Sequence, residues 1–186
     1  MVEFIMAVDP GGTTGIATFN YRTRLWRTYQ LPYKPIDLYE CFAHLIDSYS
    51  EEQDNPWQGA ITVIGERFDY RPVGKYNFGG SRAIPKVDLT PRNVLGILEL
   101  ACAYAGIEIH WQAPADVNGD DGKKTGDPKV FWTDDKVKQL QLYKAGHVHE
   151  MDAVKHILYY RSFTLGETKL FEDLRPTKMS GYEVMV

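Results

Sequence analysis

The chain has 186 residues, the size of one domain, which excludes two full lobes closing on a ligand. Apolar residues make up 44% and charged residues 25%, with 21 Lys plus Arg against 25 Asp plus Glu and a net charge of -4. That is an ordinary globular composition, with roughly 70% of the unfolded surface expected to be buried and no overall basic excess, although a local basic surface is compatible with it. Cys41 and Cys102 sit in apolar helical patterns and form no CxxC, which reads as buried thiols in a reducing, cytoplasmic compartment. The opening MVEFIMAVDP is too short and too acidic for a signal peptide. No apolar run approaches 18 residues, so no membrane span is expected.

In chain order, Glu3 to Asp9 is an apolar run of strand length ending at an acid and Pro10. Residues 11–15 (GGTTG) are turn material. Ile16 to Asn20 reads as a second strand and Leu25 to Leu31, alternating in LWRTYQL, as a third; with short turns between them they form an antiparallel meander. Asp37 to Tyr49 carries Leu38, Cys41, Phe42, Leu45 and Tyr49 at helical spacing. A polar linker, Ser50 to Gly59, leads to a buried-type strand, Ala60 to Glu66, again ending at an acid. After an aperiodic connection, Thr90-Pro91 starts a helix with Thr90 as N-cap, and Gly106 stops it. Ile107 to Gln112 alternates as a fifth strand. A loop from Ala113 to Phe131 precedes a helix capped by Thr133 and running to Ala145, and Gly146 separates it from a last helix over His149 to Thr164. The expected architecture is one α/β domain over residues 1–165, with a tail at 166–186. Its mixed five-stranded sheet combines a three-strand antiparallel meander with two parallel strands, flanked by helices.

The chemistry gathers at strand ends. Parallel neighbours bring Asp9 and Glu66 to the same edge, and open α/β sheets place their sites at that carboxyl edge. The last helix opens on His149, Glu150 and Asp152, and the spacing of His149, Asp152 and His156 puts those three on one helix face. Val154, Ile157 and Leu158 face elsewhere, where they can hold the helix against the sheet. Two strand-end acids plus a His/Asp pair make a cage of hard oxygen ligands for Mg²⁺, with one imidazole tilting the preference towards Mn²⁺. Such a cage serves in-line phosphodiester hydrolysis, with two ions about 4 Å apart activating water and stabilising the leaving 3′ oxygen. No Ser-His-Asp or Cys-His nucleophile pattern is evident. Taken singly, Asp9 and Glu66 are equally well read as turn-forming acids, and His149/Asp152 as a helix cap; their order and placement together favour the metal cage.

The opening IMAVDPGGTTGIA resembles the first motif of the RuvC branch of the RNase H-like superfamily, a strand ending in a metal-binding Asp. VIGERF at 63–68 is similar to its second motif and HVHEMDAVKH at 147–156 to its third. The element order also matches that fold, and the likeness covers residues 1 to about 162. It looks nearest to the phage-encoded RuvC-like Holliday junction resolvases. The resemblance implies an RNase H-like fold and metal-dependent endonuclease activity on four-way DNA in the host cytoplasm. It also implies Asp9, Glu66 and Asp152 as catalytic metal ligands, with His149 in the fourth position where many members carry Asp. DPGGTT also resembles the first phosphate loop of the sugar-kinase, actin and heat-shock superfamily, but those proteins need two lobes.

The connection from Arg67 to Leu89 holds Arg67, Arg71, Lys75, Arg82 and Lys86 against Asp69 and Asp88, interleaved with Phe68, Tyr70, Tyr76 and Phe78. Cations for phosphates and aromatics for unstacked bases suit a nucleic-acid-binding loop, and by the resemblance Tyr76 or Phe78 would wedge at a junction crossover. The same resemblance implies that Lys123, Lys124 and Lys129 in the second long loop hold the scissile strand, while their composition reads equally well as a solvated charged loop. His156 is expected to orient a ligand or water at the site. A junction has two strands to cut symmetrically, so a C2 homodimer is the expected assembly. Two other readings stay open: a different RNase H-like nuclease acting on RNA–DNA hybrids or in DNA packaging, and an inert branched-DNA-binding protein.

Overall fold

A computed structural model describes residues 4–51, 61–67, 89–112, 128–167 and 170. β1 (Phe4–Asp9), β2 (Thr13–Asn20) and β3 (Leu25–Pro32) form the antiparallel meander. After α1 (Pro35–Glu51), β4 (Ile61–Glu66) pairs parallel to β1; after α2 (Thr90–Ala105), β5 (Ile109–Gln112) pairs parallel to β4. The sheet order is β3-β2-β1-β4-β5, the mixed five-stranded architecture expected from the sequence. Among the described residues three helices follow: α3 (Pro128–Phe131), α4 (Asp134–Gln139) and α5 (Val148–Tyr159), the last continued by a π turn over Tyr160–Thr164.

The period-2 alternation of the strands divides the core in two. Phe4, Met6, Val8, Ile16 and Val63 face α1 and α2, packing on Leu38, Phe42, Leu98 and the two cysteines. Both thiols are free, and burial pushes Cys41 up to about 11 and Cys102 up to about 12, so neither is poised as a nucleophile. Ile5, Ala7, Ala17, Phe19 and Ile64 face the other way, onto Val154, Ile157 and Leu158 of α5. By the same alternation Asp9 and Glu66 fall on the α5 side. The parallel register pairs Val8 with Gly65 and Glu66 with Gln112, so Asp9, Glu66 and Gln112 form a row along the carboxyl edge under α5.

Close approach sets where α5 begins. A Cβ built at Gly15 would lie 2.0 Å from the carbonyl oxygen of His149, so the helix start rests on bare backbone of β2. Asp9 is the register partner of Gly15 on β1, and the same contact therefore carries His149 over Asp9. Glu150, in the first turn, points away from this edge. It is buried and accepts from Thr28 Oγ1 at 2.6 Å, while His147 Nδ1 lies 2.9 Å and Lys144 Nζ 3.3 Å away. Those contacts tie the helix start to β3. At the far end Arg161 lies 4.2 Å over the ring of Phe19 and pairs with Glu167 at 2.6 Å, and Tyr21 donates to Glu167 as well. Leu170 is buried in the α5-side core. Within the expected tail, Glu167 and Leu170 thus lie against the domain.

Several boundaries differ from those read in the sequence. β2 takes in Thr13 to Gly15, which pair with Pro32 to Gln30. Leu89 rather than Thr90 occupies the cap of α2, although Gly106 ends it as expected with φ 68°. The helix expected from Thr133 to Ala145 stops at Gln139 because Gln141 turns left-handed (φ 58°). The amide of Leu142 returns to Val137 O and that of Gln141 to Lys138 O, a Schellman closure. Leu142 and Val137, both buried, supply its apolar contact, so no glycine marks the stop. The Gly15→Ala variant is expected to push α5 off β2 and to lose about 1–3 kcal/mol through overpacking, measured by urea unfolding. A loss below about 0.5 kcal/mol would show that the helix can yield there.

Candidate metal centre

Three chain segments bring carboxylates to one point. Asp9 ends β1, Glu66 ends β4, and Asp152 lies one turn into α5. Their oxygens surround the Lys129 ammonium, at 2.7 Å from Asp9 Oδ1, 2.9 Å from Glu66 Oε2 and 3.4 Å from Asp152 Oδ2. Carboxylates this close and this buried repel one another unless a cation stands among them. Asp152 is steadied on its other oxygen by Lys155, 2.8 Å from Oδ1, and Lys155 also reaches Asp134 at 2.8 Å. His149 Nδ1 lies 2.8 Å from Asp9 Oδ2, so Asp9 has one oxygen facing the lysine and the other facing the imidazole.

His156 completes the cluster from one turn further along α5. One ligand atom each of Asp9, Glu66 and His156 lies within 4.8 Å of the others. His156 Nε2 is buried 3.6 Å from Glu66 Oε2 and has no hydrogen-bond partner. A buried polar atom without a partner is costly. Here it sits beside two carboxylates whose combined donor set, two or three oxygens and one imidazole nitrogen, fits a divalent cation. The focus on the lysine ammonium and the orphaned nitrogen both indicate a pocket shaped for positive charge.

The electrostatics separate the two strand-end acids. Burial raises Asp9 above the ordinary carboxylate range, aided by nearby Glu66, against the opposing pull of Lys129 and His149. For Glu66 burial also pushes upward, but the His156 imidazole and Lys129 outweigh it and hold the group at about 2. Lys129 is itself held above its ordinary range: burial opposes the charge, and Asp9, Glu66 and Asp152 more than compensate.

All four acids and imidazoles expected at the site thus arrive at this edge, with different neighbours. Asp9, Glu66 and Asp152 share the lysine, while His149 reaches Asp9 alone. Lys129, read in the sequence only as a loop lysine for the scissile strand, stands at the centre, and its aperiodic surroundings offered no signal of that. His156, expected in a supporting role, offers a free nitrogen to the cluster; its shared face with Asp152 was the available signal. Arg67 is exposed immediately after Glu66, its amide bonded to Gln112 O at 2.8 Å. Arg71, Lys75, Tyr76, Phe78, Arg82, Lys123 and Lys124 lie outside the described residues. Two positions beyond Lys129, exposed Phe131 meets exposed Phe163 edge to face at 4.7 Å, with Lys136 Nζ 4.2 Å from the Phe131 centroid.

No family model and no curated protein sequence matches this chain. Solved structures do. RuvC of Thermus thermophilus in complex with a Holliday junction substrate superimposes with a TM-score of 0.55 at 12% identity, covering 89% of this chain and 96% of that one. A second Thermus thermophilus RuvC structure gives 0.52 at 13% identity, covering 88% and 96%. The fold is accordingly that of RuvC, an RNase H-like α/β domain. No helix among the described residues is long and apolar enough to cross a membrane.

Replacing the central cation tests the charge balance. In EDTA, Lys129→Met is expected to cost about 2 kcal/mol, a buried-pair loss discounted for the partial exposure of the lysine. Added Mn²⁺ should then raise its unfolding midpoint more than the parent's; a variant as stable as the parent, with equal response to Mn²⁺, refutes this role. Glu66 titrates lower in the folded chain than its ordinary 4.5, so its contribution is fully present above that pH and gone once the pH has fallen through about 2. The stability gap between the parent and Glu66→Gln, measured by thermal melts in EDTA, should narrow across that window; a constant gap contradicts the assignment.

Proposed function

We propose that this protein is a divalent-metal-dependent endonuclease for four-way or otherwise branched DNA. The observation that carries the reading is the convergence of Asp9, Glu66 and Asp152 on a single positive centre at the carboxyl edge of a RuvC fold. Asp9, Glu66, Asp152 and His156 would hold Mg²⁺ or Mn²⁺, with His149 either joining them or orienting Asp9; the resemblance supports two ions. A bound divalent cation supplies Lewis-acid polarisation of a phosphoryl oxygen and a water of lowered pKa.

The remaining steps belong to the chain. Asp9 and Glu66 sit on neighbouring parallel strands, which keeps their oxygens at fixed separation while substrate exchanges. His149 holds Asp9 Oδ2 and so restricts rotation of that carboxylate. Lys129, once its three carboxylates are neutralised by other charge, presents its ammonium to a backbone phosphate beside the site. Arg67 extends the same positive edge. The Phe131–Phe163 pair with Lys136 offers stacking surface and a cation to an unstacked strand. The basic, aromatic segment 67–89 is assigned to DNA by composition, and Lys123 and Lys124 by the resemblance. A C2 homodimer would supply two such sites for the two strands of a junction.

The test is cleavage of a labelled mobile four-way junction with Mg²⁺, Mn²⁺ or EDTA, alongside hybrid and linear duplex. Paired symmetric nicks that require metal are expected on the junction. Asp9→Asn and Glu66→Gln should retain junction binding while cutting falls at least about 100-fold, about 2.7 kcal/mol of barrier. Cutting at the parental rate by both variants would overturn the site. Tight junction binding with no nicks under either metal would instead identify an inert junction binder.

A further inference from the structure

The row of Asp9, Glu66 and Gln112 along the sheet edge contains one residue that the hydrolytic reading leaves unused. Gln112 is buried, and it is the register partner of Glu66 on β5. Its side chain makes two contacts to the same residue: Nε2 donates to the carbonyl oxygen of His156 at 3.1 Å, and Oε1 lies 2.6 Å from His156 Nδ1. A carbonyl oxygen can only accept, so the amide nitrogen must face it and the amide oxygen must face the imidazole. An amide oxygen also can only accept. Nδ1 of His156 therefore carries a proton, and in the neutral ring that binds a metal the lone pair lies on Nε2. That nitrogen is the buried, unpartnered atom 3.6 Å from Glu66 Oε2.

We propose that Gln112 is a positioning residue that fixes the Nδ1–H form of His156. Nε2 then enters the Asp9–Glu66 cluster as a nitrogen ligand and gives the centre a preference for Mn²⁺ over Mg²⁺. The inference rests on the metal-centre reading above and deepens it. The chemistry follows from ligand type: Mg²⁺ selects oxygen and sheds water reluctantly, whereas Mn²⁺ accepts imidazole. An outer partner that sets the tautomer and ring orientation of a ligating histidine is worth about 10–100-fold in metal affinity. The device is rigid on both sides, because Gln112 lies in the sheet and clamps both ring and backbone of His156.

Two measurements decide it, and neither needs DNA. Long-range ¹H–¹⁵N spectra of the metal-free protein, taken at a pH where the ring is neutral and with the His156 signal assigned by its loss in His156→Asn, should show the Nδ1–H tautomer; a neutral Nε2–H ring overturns the proposal. Calorimetric titration with Mn²⁺ and with Mg²⁺ should give at least about tenfold tighter Mn²⁺ binding in the parent. Gln112→Met, which removes the acceptor, should weaken Mn²⁺ about 10–100-fold and Mg²⁺ by less than about threefold. Gln112→Glu, which keeps an acceptor oxygen, should retain the preference. Nitrogen coupling in the Mn²⁺ electron-spin-echo spectrum should survive His149→Asn. Equal metal ratios in the parent and Gln112→Met, or nitrogen coupling that vanishes with His149, refutes the role of the pair. Should His156→Asn fail to fold, the Met and Glu variants of Gln112 still decide the matter. An intact Mn²⁺ preference without any junction cleavage would sink the nuclease reading and leave this one standing.

Discussion

Three carboxylates drawn to one point of a protein edge, all partly or wholly removed from water, impose the constraint around which this molecule is arranged. Unpaired, they would raise one another's proton affinity or push the strands apart. The structure meets the demand with positive charge at close quarters: Lys129 among all three oxygens, Lys155 behind Asp152. These contacts span β1, β4, α3 and α5, so the charge cluster also ties the carboxyl edge to the helices above it.

Helix α5 is the element that translates fold into chemistry. One face buries Val154, Ile157 and Leu158 against β1, β2 and β4, and a second face carries His149, Asp152 and His156 to the strand ends. Glu150, on a third side, is tied to β3. The helix can serve all three because its start lies directly on the backbone of Gly15. A side chain there would lift His149 from Asp9 and, with it, the face that carries Asp152 and His156. Gly65 plays a related part in the neighbouring strand. A Cβ at that position would lie 2.6 Å from the Trp111 ring, so a side chain before Glu66 would require that ring to shift.

The likeness to RuvC at 12–13% identity is physically reasonable for such a design. The two core layers ask for apolar residues of suitable volume, and many combinations satisfy that. The demands that admit few substitutes are sparse: acids at two strand ends, a bare backbone under the helix start, and a cation among the carboxylates. A fold can therefore persist while nearly all of its sequence changes.

Alternation and helical spacing were sufficient to read the meander, the two parallel additions, the stop at Gly106, and the placing of Asp9 and Glu66 at one edge. Each of these is a local periodicity, and the parallel crossover rule links them into a sheet. The face shared by His149, Asp152 and His156 was legible for the same reason. What only the tertiary structure decided concerns partners distant in the chain. Lys129 reaches the centre because the short helix α3 packs beside α5, after a stretch with no period to read. Gln112 meets both the ring and the backbone of His156 from a strand 44 residues earlier, and the early end of α4 is set by a left-handed Gln141 that burial of Leu142 holds in place. Sequence patterns record how a segment repeats along itself. Charge neutralisation and hydrogen-bond matching are settled only when segments meet.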